Sequence, residues 1–366
     1  MPAAVVVGAG SFGASLADRL AGEGWEVTLV DRFGAGDPRA ESGGETRLLR
    51  FSHGDDVLYT RLARRARELW LDLGAGVLEE SGVAWLARRA DGWEADSERV
   101  LRAEGIPIER IAPDEARRLL PGLSPAGLAH VLHEPEAGVL HAARGVRALV
   151  DRARERGARV EIGEATPQGG AVRVGDRTLE ADAVVWACGA WLARLFPELV
   201  SLRVTLQQLT LFEAGPEWQG AGWVDFEGPW YGHAAIEPHG FKVAHDLDGP
   251  PVDPDERPSS AGDEAVREAR EYLAMRFPGL ADAPVASAPA CHYSLTQDSN
   301  FLFAAHPGEP GTWLLGGGSG HGFKHGPALA EHVSSVLGGR AAPEPRFALG
   351  ERRPGRSLRT AGSSQR

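Results

Sequence analysis

Lysine and asparagine are nearly missing from this chain of 366 residues. Two of its 39 basic residues are lysine, Lys242 and Lys324, and asparagine occurs once, at Asn300. A coding bias towards arginine explains this scarcity at the surface. Lysine is a compact point charge and arginine a wide planar fork, so a surviving lysine indicates a position that arginine cannot fill. Each lysine ends the tetrapeptide His-Gly-Phe-Lys, at residues 239–242 and 321–324.

Cysteine is equally rare. Cys188 and Cys291 are the two cysteines of the sequence and lie far apart in it. This spacing gives neither a disulfide framework nor a set of metal ligands, so no metal is predicted.

Positive charge and long apolar runs are lacking too. A net charge of -12 argues against a nucleic-acid binder, which should have a basic face. No apolar run approaches the length of a membrane span, and the first residues form no basic n-region. The composition, 43% hydrophobic and 25% charged, is that of an ordinary soluble protein, and the length favours two domains. We therefore expect a cytoplasmic protein that binds neither nucleic acid nor membrane.

The N-terminal residues follow a strand–helix–strand pattern. Ala3-Ala4-Val5-Val6-Val7 is the short β-branched run of a buried parallel strand. It enters Gly8-Ala9-Gly10-Ser11-Phe12-Gly13, which precedes a predicted helix at residues 14–23. A second predicted strand, residues 26–30, closes on Asp31.

This pattern is a dinucleotide-binding fingerprint. Gly8 makes the tight turn, Gly10 lets the backbone approach a pyrophosphate, and Gly13 allows the helix to pack closely on the strand. The helix N-terminus favours phosphate charge, and Asp31 can accept hydrogen bonds from ribose hydroxyls. The fingerprint predicts an adenine dinucleotide but does not choose between FAD and a nicotinamide cofactor.

Later segments extend the same layer and add a second one. An amphipathic helix and two strands are predicted at residues 145–156, 159–162 and 183–187. Polar and apolar residues alternate through 204–247, which predicts an antiparallel sheet in a second domain. Residues 313–322 form another glycine-rich turn between a strand and a helix, which brings Lys324 close to the cofactor. The fold class is therefore α/β, a Rossmann-like domain combined with a mixed or antiparallel sheet.

Three motifs, in this order, resemble the monomeric sarcosine oxidase family of flavin amine oxidases, which includes N-methyltryptophan oxidase. They are Gly44-Glu45-Thr46-Arg47-Leu48-Leu49-Arg50, the stretch from Cys291 through Asp298 to His306-Pro307, and Ser319-Gly320-His321-Gly322-Phe323-Lys324. The resemblance runs from Val5 to about Leu337 and implies FAD in a glutathione-reductase-type flavin fold. The resemblance implies two domains. The FAD-binding domain is formed by residues 1–80, 139–204 and 290–345, and the substrate domain by residues 81–138 and 205–289. Residues 346–366 are predicted to be a disordered tail.

The resemblance also implies roles for single residues. Arg50 and Lys324 match the family's carboxylate-binding pair, and Cys291 matches the residue that is covalently joined to the flavin. Lys242 matches the lysine that serves oxygen reduction, with Arg47 near the flavin ring and Tyr231 and His321 lining the substrate pocket. The implied cofactor-binding set is Gly8, Gly10, Ser11, Phe12, Gly13, Asp31, Arg32, Cys291, Gly318, Gly320, Gly322 and Lys324.

One position departs from the family pattern. The family often has a histidine four residues after this lysine, whereas here His245 follows at three and Asp246 comes next. A slip of one residue in a strand points a side chain to the opposite face, so His245 is equally well explained as a solvated residue.

The expected function is oxidation of a secondary α-amino acid, N-alkyl or cyclic, to an imine, with oxygen reduced to hydrogen peroxide. A biosynthetic desaturase of cyclic amines is the nearest alternative. A dehydrogenase with another electron acceptor is less favoured because of Lys242. A catalytically silent flavin-binding protein is less favoured because it would have no reason to retain Arg50, Lys324 and Lys242. A monomer is expected.

Overall fold

The computed structural model describes residues 1–355 and 358–359. Its helices are α1 (Ser11–Gly22), α2 (Val57–Leu71), α3 (Trp93–Ala103), α4 (Ala142–Glu155), α5 (Leu192–Leu195), α6 (Asp263–Arg276) and α7 (Gly326–Leu337). Its strands are β1 (Ala3–Val7), β2 (Glu26–Asp31), β3 (Thr46–Leu49), β4 (Leu78–Glu79), β5 (Val83–Ala87), β6 (Glu109–Ile111), β7 (His130–Glu134), β8 (Gly138–His141), β9 (Arg159–Ile162), β10 (Ala165–Gln168), β11 (Ala171–Val174), β12 (Arg177–Leu179), β13 (Ala183–Trp186), β14 (Arg203–Phe212), β15 (Gly222–Asp225), β16 (Trp230–Ile236), β17 (Gly240–His245), β18 (Val285–Ser287), β19 (Ala290–Leu295), β20 (Leu302–Ala305) and β21 (Thr312–Gly316).

A six-stranded sheet forms the first layer, in the order β20-β21-β13-β1-β2-β9. Strand β1 lies at its centre and pairs in parallel with both β13 and β2. Four of the five residues of β1 are buried, as its continuous apolar run predicts. Helix α1 packs against α4 and α7, so the predicted strand–helix–strand unit forms the middle of this layer.

A larger sheet forms the second layer, in the order β18-β14-β17-β16-β15-β5-β7-β6, and β19 pairs with β14 as well. The pairs from β14 through β17 and β16 to β15 are antiparallel, which agrees with the alternating pattern of residues 204–247. Strands β15 and β5 run in parallel, which makes the sheet mixed. The predicted α/β class with a second, mixed sheet is confirmed.

A small sheet, in the order β3-β8-β4, carries the first of the three family motifs. Strand β3 contains Arg47 and ends one residue before Arg50. The Lys242 ammonium on β17 donates a hydrogen bond to the Thr46 carbonyl, over 3.2 Å. The small sheet therefore places this motif against Lys242, which lies on an interior strand of the large sheet.

The C-terminal segment differs from the disordered tail that the sequence predicts from residue 346 onwards. Phe347 is 1% exposed and packs on Phe301, and Leu358 and Arg359 are 7% and 4% exposed. Apolar and ion-paired contacts hold these residues, whereas the composition of the segment indicates only its polarity. The rest of the predicted tail, residues 356, 357 and 360–366, lies outside the described residues.

In the described part of the chain, no helix is both long and apolar enough to cross a membrane.

Candidate active site

One cleft collects most of the residues that the sequence singles out. The predicted residues that line it are Gly8, Gly10, Ser11, Phe12, Asp31, Arg32, Arg47, Arg50, Tyr231, Gly318, Gly320, His321, Gly322 and Lys324. Gly13, Lys242 and Cys291 are not among the described residues that line it. Gly13 lies behind the turn, and the other two lie beside Arg47.

The glycines of the first turn are there because no side chain fits. A Cβ on Gly8 would lie 2.3 Å from the Ala187 carbonyl oxygen, and one on Gly13 would lie 1.9 Å from the Gly8 carbonyl oxygen. Gly8 also has a φ of +105°, a conformation that side chains rarely adopt. The strand, turn and helix are therefore packed backbone against backbone, as a dinucleotide site requires.

The open end of α1 faces the cleft. Gly10 has no side chain to cap this helix, the Ser11 N–H donates to the Ser42 hydroxyl at 2.8 Å, and Gly10, Ser11 and Phe12 line the cleft. Uncapped backbone N–H groups at a helix N-terminus favour a phosphate. The Asp31 carboxylate at the end of β2 accepts hydrogen bonds from backbone N–H groups of the turns on either side of it, including that of Ala9 at 2.6 Å. Its lone pairs can also take ribose hydroxyls, so FAD fits this half of the cleft.

Arg50 and Lys324 bring two buried positive charges to the other half. They are 6% and 3% exposed. The Arg50 guanidinium donates to the carbonyls of Ser52, at 2.5 Å, and Leu358, at 3.0 Å, while the Lys324 ammonium donates to the His321 carbonyl at 3.3 Å. These partners are neutral carbonyls, so the pair can still bind an anion.

The lowered pKa values of Arg50 and Lys324 show that burial disfavours the charged form of both side chains. Burial lowers the pKa of Arg50 to about 10, although Asp246 and Glu134 act in the opposite direction. Burial, followed by repulsion from Arg50, lowers the pKa of Lys324 well below its ordinary value. An anion between the two side chains would relieve the repulsion, which is the electrostatic condition for a carboxylate clamp.

Lys242, Arg47 and Cys291 form a second group on the inner side of β3. One Arg47 nitrogen lies 3.9 Å from the Cys291 sulfur and donates to the carbonyls of Glu41 and Gly43. Lys242 is 3% exposed, and its ammonium lies 5.3 Å from the centre of the Tyr231 ring. Burial, followed by repulsion from Arg47, lowers the pKa of Lys242 to about 7. The charge of this lysine is therefore sensitive to its surroundings at neutral pH.

His245, where the sequence departs from the family pattern, lies at the end of β17 and points away from the face that carries Lys242, as the alternation of side chains along a strand requires. His245 stacks on Trp230, with ring centres 4.4 Å apart, and lies 3.7 Å from Glu268, away from the cleft. Asp246 is 7% exposed and lines the cleft. The position four residues after Lys242 therefore carries a carboxylate, and His245 has no part in the site.

Tyr231 meets a second tyrosine in the cleft. Its hydroxyl lies 3.3 Å from that of Tyr293, which in turn donates to Asp246 over 3.4 Å. Burial raises the pKa of Tyr231 to about 12, so this phenol stays protonated at neutral pH. The two tyrosines and Asp246 form one wall of the space beside the clamp.

Three histidines lie together close to Lys324. The nitrogens of His53, His321 and His325 that could bind a metal are within 4.8 Å of one another, and all three residues are buried. The His321 Nε2 atom is 2.9 Å from the Ser299 carbonyl, which orients its ring. Burial, together with the nearby charge of Lys324, keeps the pKa of each ring well below its ordinary value. The same positive charge opposes a metal cation, and the absence of a metal stays a prediction.

Four acidic or basic residues of the site escape the sequence reasoning. The buried Glu134 carboxylate accepts from the backbone N–H groups of Phe51 and Ser52, at 2.6 and 3.0 Å, and so fixes the turn after Arg50. Glu41 accepts from the Ser294 N–H at 2.6 Å, and burial raises its pKa to about 7. Asp246 and Arg359 pair in the cleft itself, at 2.8 Å. The position of Glu41, two residues before the Gly-Gly-Glu-Thr-Arg motif, could have indicated a role in the site. No sequence pattern indicates such a role for Glu134 or Arg359.

A mostly parallel sheet with a dinucleotide turn, joined to a mixed sheet that covers a cationic cleft, is the construction of a flavin-dependent oxidoreductase. The family model described as FAD dependent oxidoreductase (DAO) matches residues 3–336. The chain belongs to this family. The predictions of an FAD-dependent oxidoreductase and of FAD as its cofactor are confirmed.

Individual relatives span nearly the whole chain. Monomeric sarcosine oxidase from Bacillus sp. (strain B-0618) is 27% identical over 356 residues, which cover 91% of each chain. N-methyl-L-tryptophan oxidase from Salmonella arizonae is 24% identical and covers 89% of this chain and 92% of its own. The crystal structure of L-proline dehydrogenase from P. horikoshii superposes with a TM-score of 0.81 at 21% identity, covering 95% of this chain and 96% of its own. The predicted resemblance to sarcosine and N-methyltryptophan oxidases is confirmed.

Proposed function

We propose that this protein is an amine oxidase that acts on a secondary α-amino acid, N-alkyl or cyclic. The substrate carbon next to nitrogen loses a hydride equivalent and the nitrogen a proton, which leaves an imine that water hydrolyses. Oxygen takes up the two electrons and two protons as hydrogen peroxide. The named relatives, a sarcosine oxidase and an N-methyl-L-tryptophan oxidase, support this class of substrate.

The observation that carries the proposal is the buried pair of Arg50 and Lys324 in the same cleft as the dinucleotide turn. A carboxylate held by two cations fixes the neighbouring carbon, and such orientation supplies much of the rate of a bound reaction. FAD, when bound, accepts the hydride equivalent. Tyr231 and His321 line the space that the rest of the substrate would occupy.

Lys242 supports oxygen, rather than another acceptor, as the oxidant. Electron transfer to oxygen builds negative charge, and a preplaced cation stabilises that charge. Lys242 is buried between Thr46 and Tyr231, where the wider arginine fork would not fit. The 3.9 Å contact of Cys291 with Arg47, at the position that matches the family's flavin-linked cysteine, is compatible with covalent FAD. We also propose the two-domain division, a monomer and a cytoplasmic location.

The test is a screen of N-methyl and cyclic amino acids. For each compound, peroxide release is measured in air and bleaching of the flavin is measured without oxygen. Oxidation of at least one secondary amino acid with equimolar peroxide is expected. Bleaching without peroxide would identify a dehydrogenase that uses another acceptor. No bleaching by any secondary amino acid would refute the proposed substrate class.

A further inference from the structure

The cleft contains a cation site that the proposed chemistry does not use. The Arg359 guanidinium lies 2.8 Å from the Asp246 carboxylate and also donates to the Asp246 carbonyl and to Asp248, which forms a second ion pair with Arg203. It lies 4.9 Å from the centre of the Tyr293 ring. Two carboxylates, a carbonyl and an aromatic face are the partners that recognise an organic cation.

The same segment also contacts the carboxylate clamp. The Leu358 carbonyl accepts a hydrogen bond from Arg50 at 3.0 Å, and the next residue inserts its guanidinium between Asp246 and Tyr293. The aliphatic stem of Arg359 runs along Gly320, where a Cβ would lie 2.8 Å from the Arg359 Cδ atom. The chain's own Leu358–Arg359 unit therefore spans the cleft with an oxygen at the clamp and a cation at the opposite wall.

This span has the dimensions of a basic amino acid. The path from the Leu358 carbonyl carbon to the Arg359 guanidinium is one backbone atom longer than the path from carboxylate to guanidinium in free arginine. A ligand with its carboxylate on Arg50 and Lys324 can therefore bring a side-chain cation of this length close to Asp246.

The charge at position 246 gives an independent argument. Asp246 directly follows β17 and lines the cleft, where it presents a carboxylate. Asp246 is 7% exposed, and a buried carboxylate without a cation is strongly destabilising. A ligand that displaces Arg359 and brings no charge of its own leaves Asp246 unpaired, so the site selects against neutral side chains.

We propose that the cleft takes an α-amino acid with a guanidinium or ammonium side chain, whose cation replaces that of Arg359 between Asp246, Asp248 and Tyr293. Arg359 is then an internal competitor that holds the subsite until substrate arrives. This inference rests on the proposed amine oxidation and narrows its substrate class.

The test compares two substrates of equal length, Nα-methyl-L-arginine and the neutral Nα-methyl-L-citrulline, by anaerobic bleaching of the flavin. One charged hydrogen bond predicts an apparent affinity about tenfold to a hundredfold higher for the arginine derivative. Asp246→Asn should bring this ratio close to one. Arg359→Gln, which removes the competitor, should raise the affinity for the arginine derivative itself. Calorimetric titration with arginine and citrulline themselves measures the same preference without turnover.

Three outcomes would overturn the inference: equal affinities in the parent protein, a ratio unchanged by Asp246→Asn, or an affinity for the arginine derivative that Arg359→Gln leaves unchanged or lowers. Each can occur while sarcosine or N-methylalanine still bleaches the flavin, which leaves the proposed amine oxidation standing. If no N-methyl amino acid bleaches the flavin but calorimetry still favours arginine, the subsite stands and the amine oxidation fails.

Discussion

Replacing Lys242 by methionine separates the two halves of the proposed reaction. Methionine keeps most of the length of the side chain and removes its charge. Lys242 is 3% exposed, and its ammonium donates to the Thr46 carbonyl. Hydride transfer does not need this charge, so anaerobic bleaching by substrate should be nearly unchanged. Reoxidation by oxygen should slow by about a hundredfold or more, the usual cost of one electrostatic donor at a reacting centre.

The pKa of Lys242 adds a dependence on pH. Burial and the repulsion from Arg47 lower this pKa to about 7. The charged form serves oxygen, and its fraction falls from about 0.9 at pH 6 to about 0.1 at pH 8, so reoxidation in the parent should slow about tenfold over this range. Negative charge that arrives during turnover would move the fall to higher pH. In Lys242→Met this dependence should disappear.

Stopped-flow absorbance of the flavin, run as two separate half-reactions, measures both effects. Lys242→Arg is the matched control for charge without compactness and should recover little of the lost rate. Because the pKa of Lys242 is lowered from 10.5 to about 7, the fold loses stability as pH falls through this range and bears the full cost below it, so Lys242→Met should unfold at no lower temperature than the parent near neutral pH. Unchanged reoxidation would remove Lys242 from the mechanism, and equal slowing of both halves would indicate a distorted site.

Three further predictions concern the clamp, the flavin link and the dinucleotide turn. Arg50→Gln should weaken binding of a carboxylate inhibitor by about 1.5–3 kcal/mol, measured by flavin difference spectra. The control Arg61→Gln, which removes an exposed ion pair with Glu104, should leave this binding unchanged. Equal effects of the two substitutions would refute the clamp. Acid-precipitated parent protein should keep its flavin and Cys291→Ala should release it, whereas release from the parent would show that the flavin is not covalent. Gly13→Ala should abolish FAD incorporation, measured by flavin absorbance per protein, because the added Cβ would lie 1.9 Å from a carbonyl oxygen. The control Gly262→Ala, whose Cβ would lie 3.7 Å from its nearest neighbour, should retain FAD. Full incorporation in Gly13→Ala would contradict the packing argument.

The local fold was readable in the sequence wherever one element carries a complete signal. The predicted strands at residues 3–7 and 159–162 match β1 and β9 in both bounds. Such segments are fixed by apolar periodicity and by the glycine or proline at their ends. The order of strands in the sheets had no comparable signal, because β1 pairs with β13, which lies far away in the sequence.

The candidate site was readable where a residue type is unusual in its context. Lys242 and Lys324 stand out among arginines, and both are buried at 3% exposure. The alternation of side chains in a strand left a functional and a solvated His245 equally well explained, and the structure stacks its ring on Trp230, where it does not line the cleft.

The sequence by itself therefore determined the dinucleotide turn, the class of the fold and the position of both lysines, because each depends on residues that are neighbours in the chain. Only the tertiary structure decided the charge of the substrate pocket. Asp246 and Arg359 are 113 residues apart and meet there in an ion pair, and Glu134 fixes the Arg50 turn from another sheet. A polar segment rich in arginine is predicted to be solvated, since only the folded cleft supplies the buried carboxylate that holds Arg359.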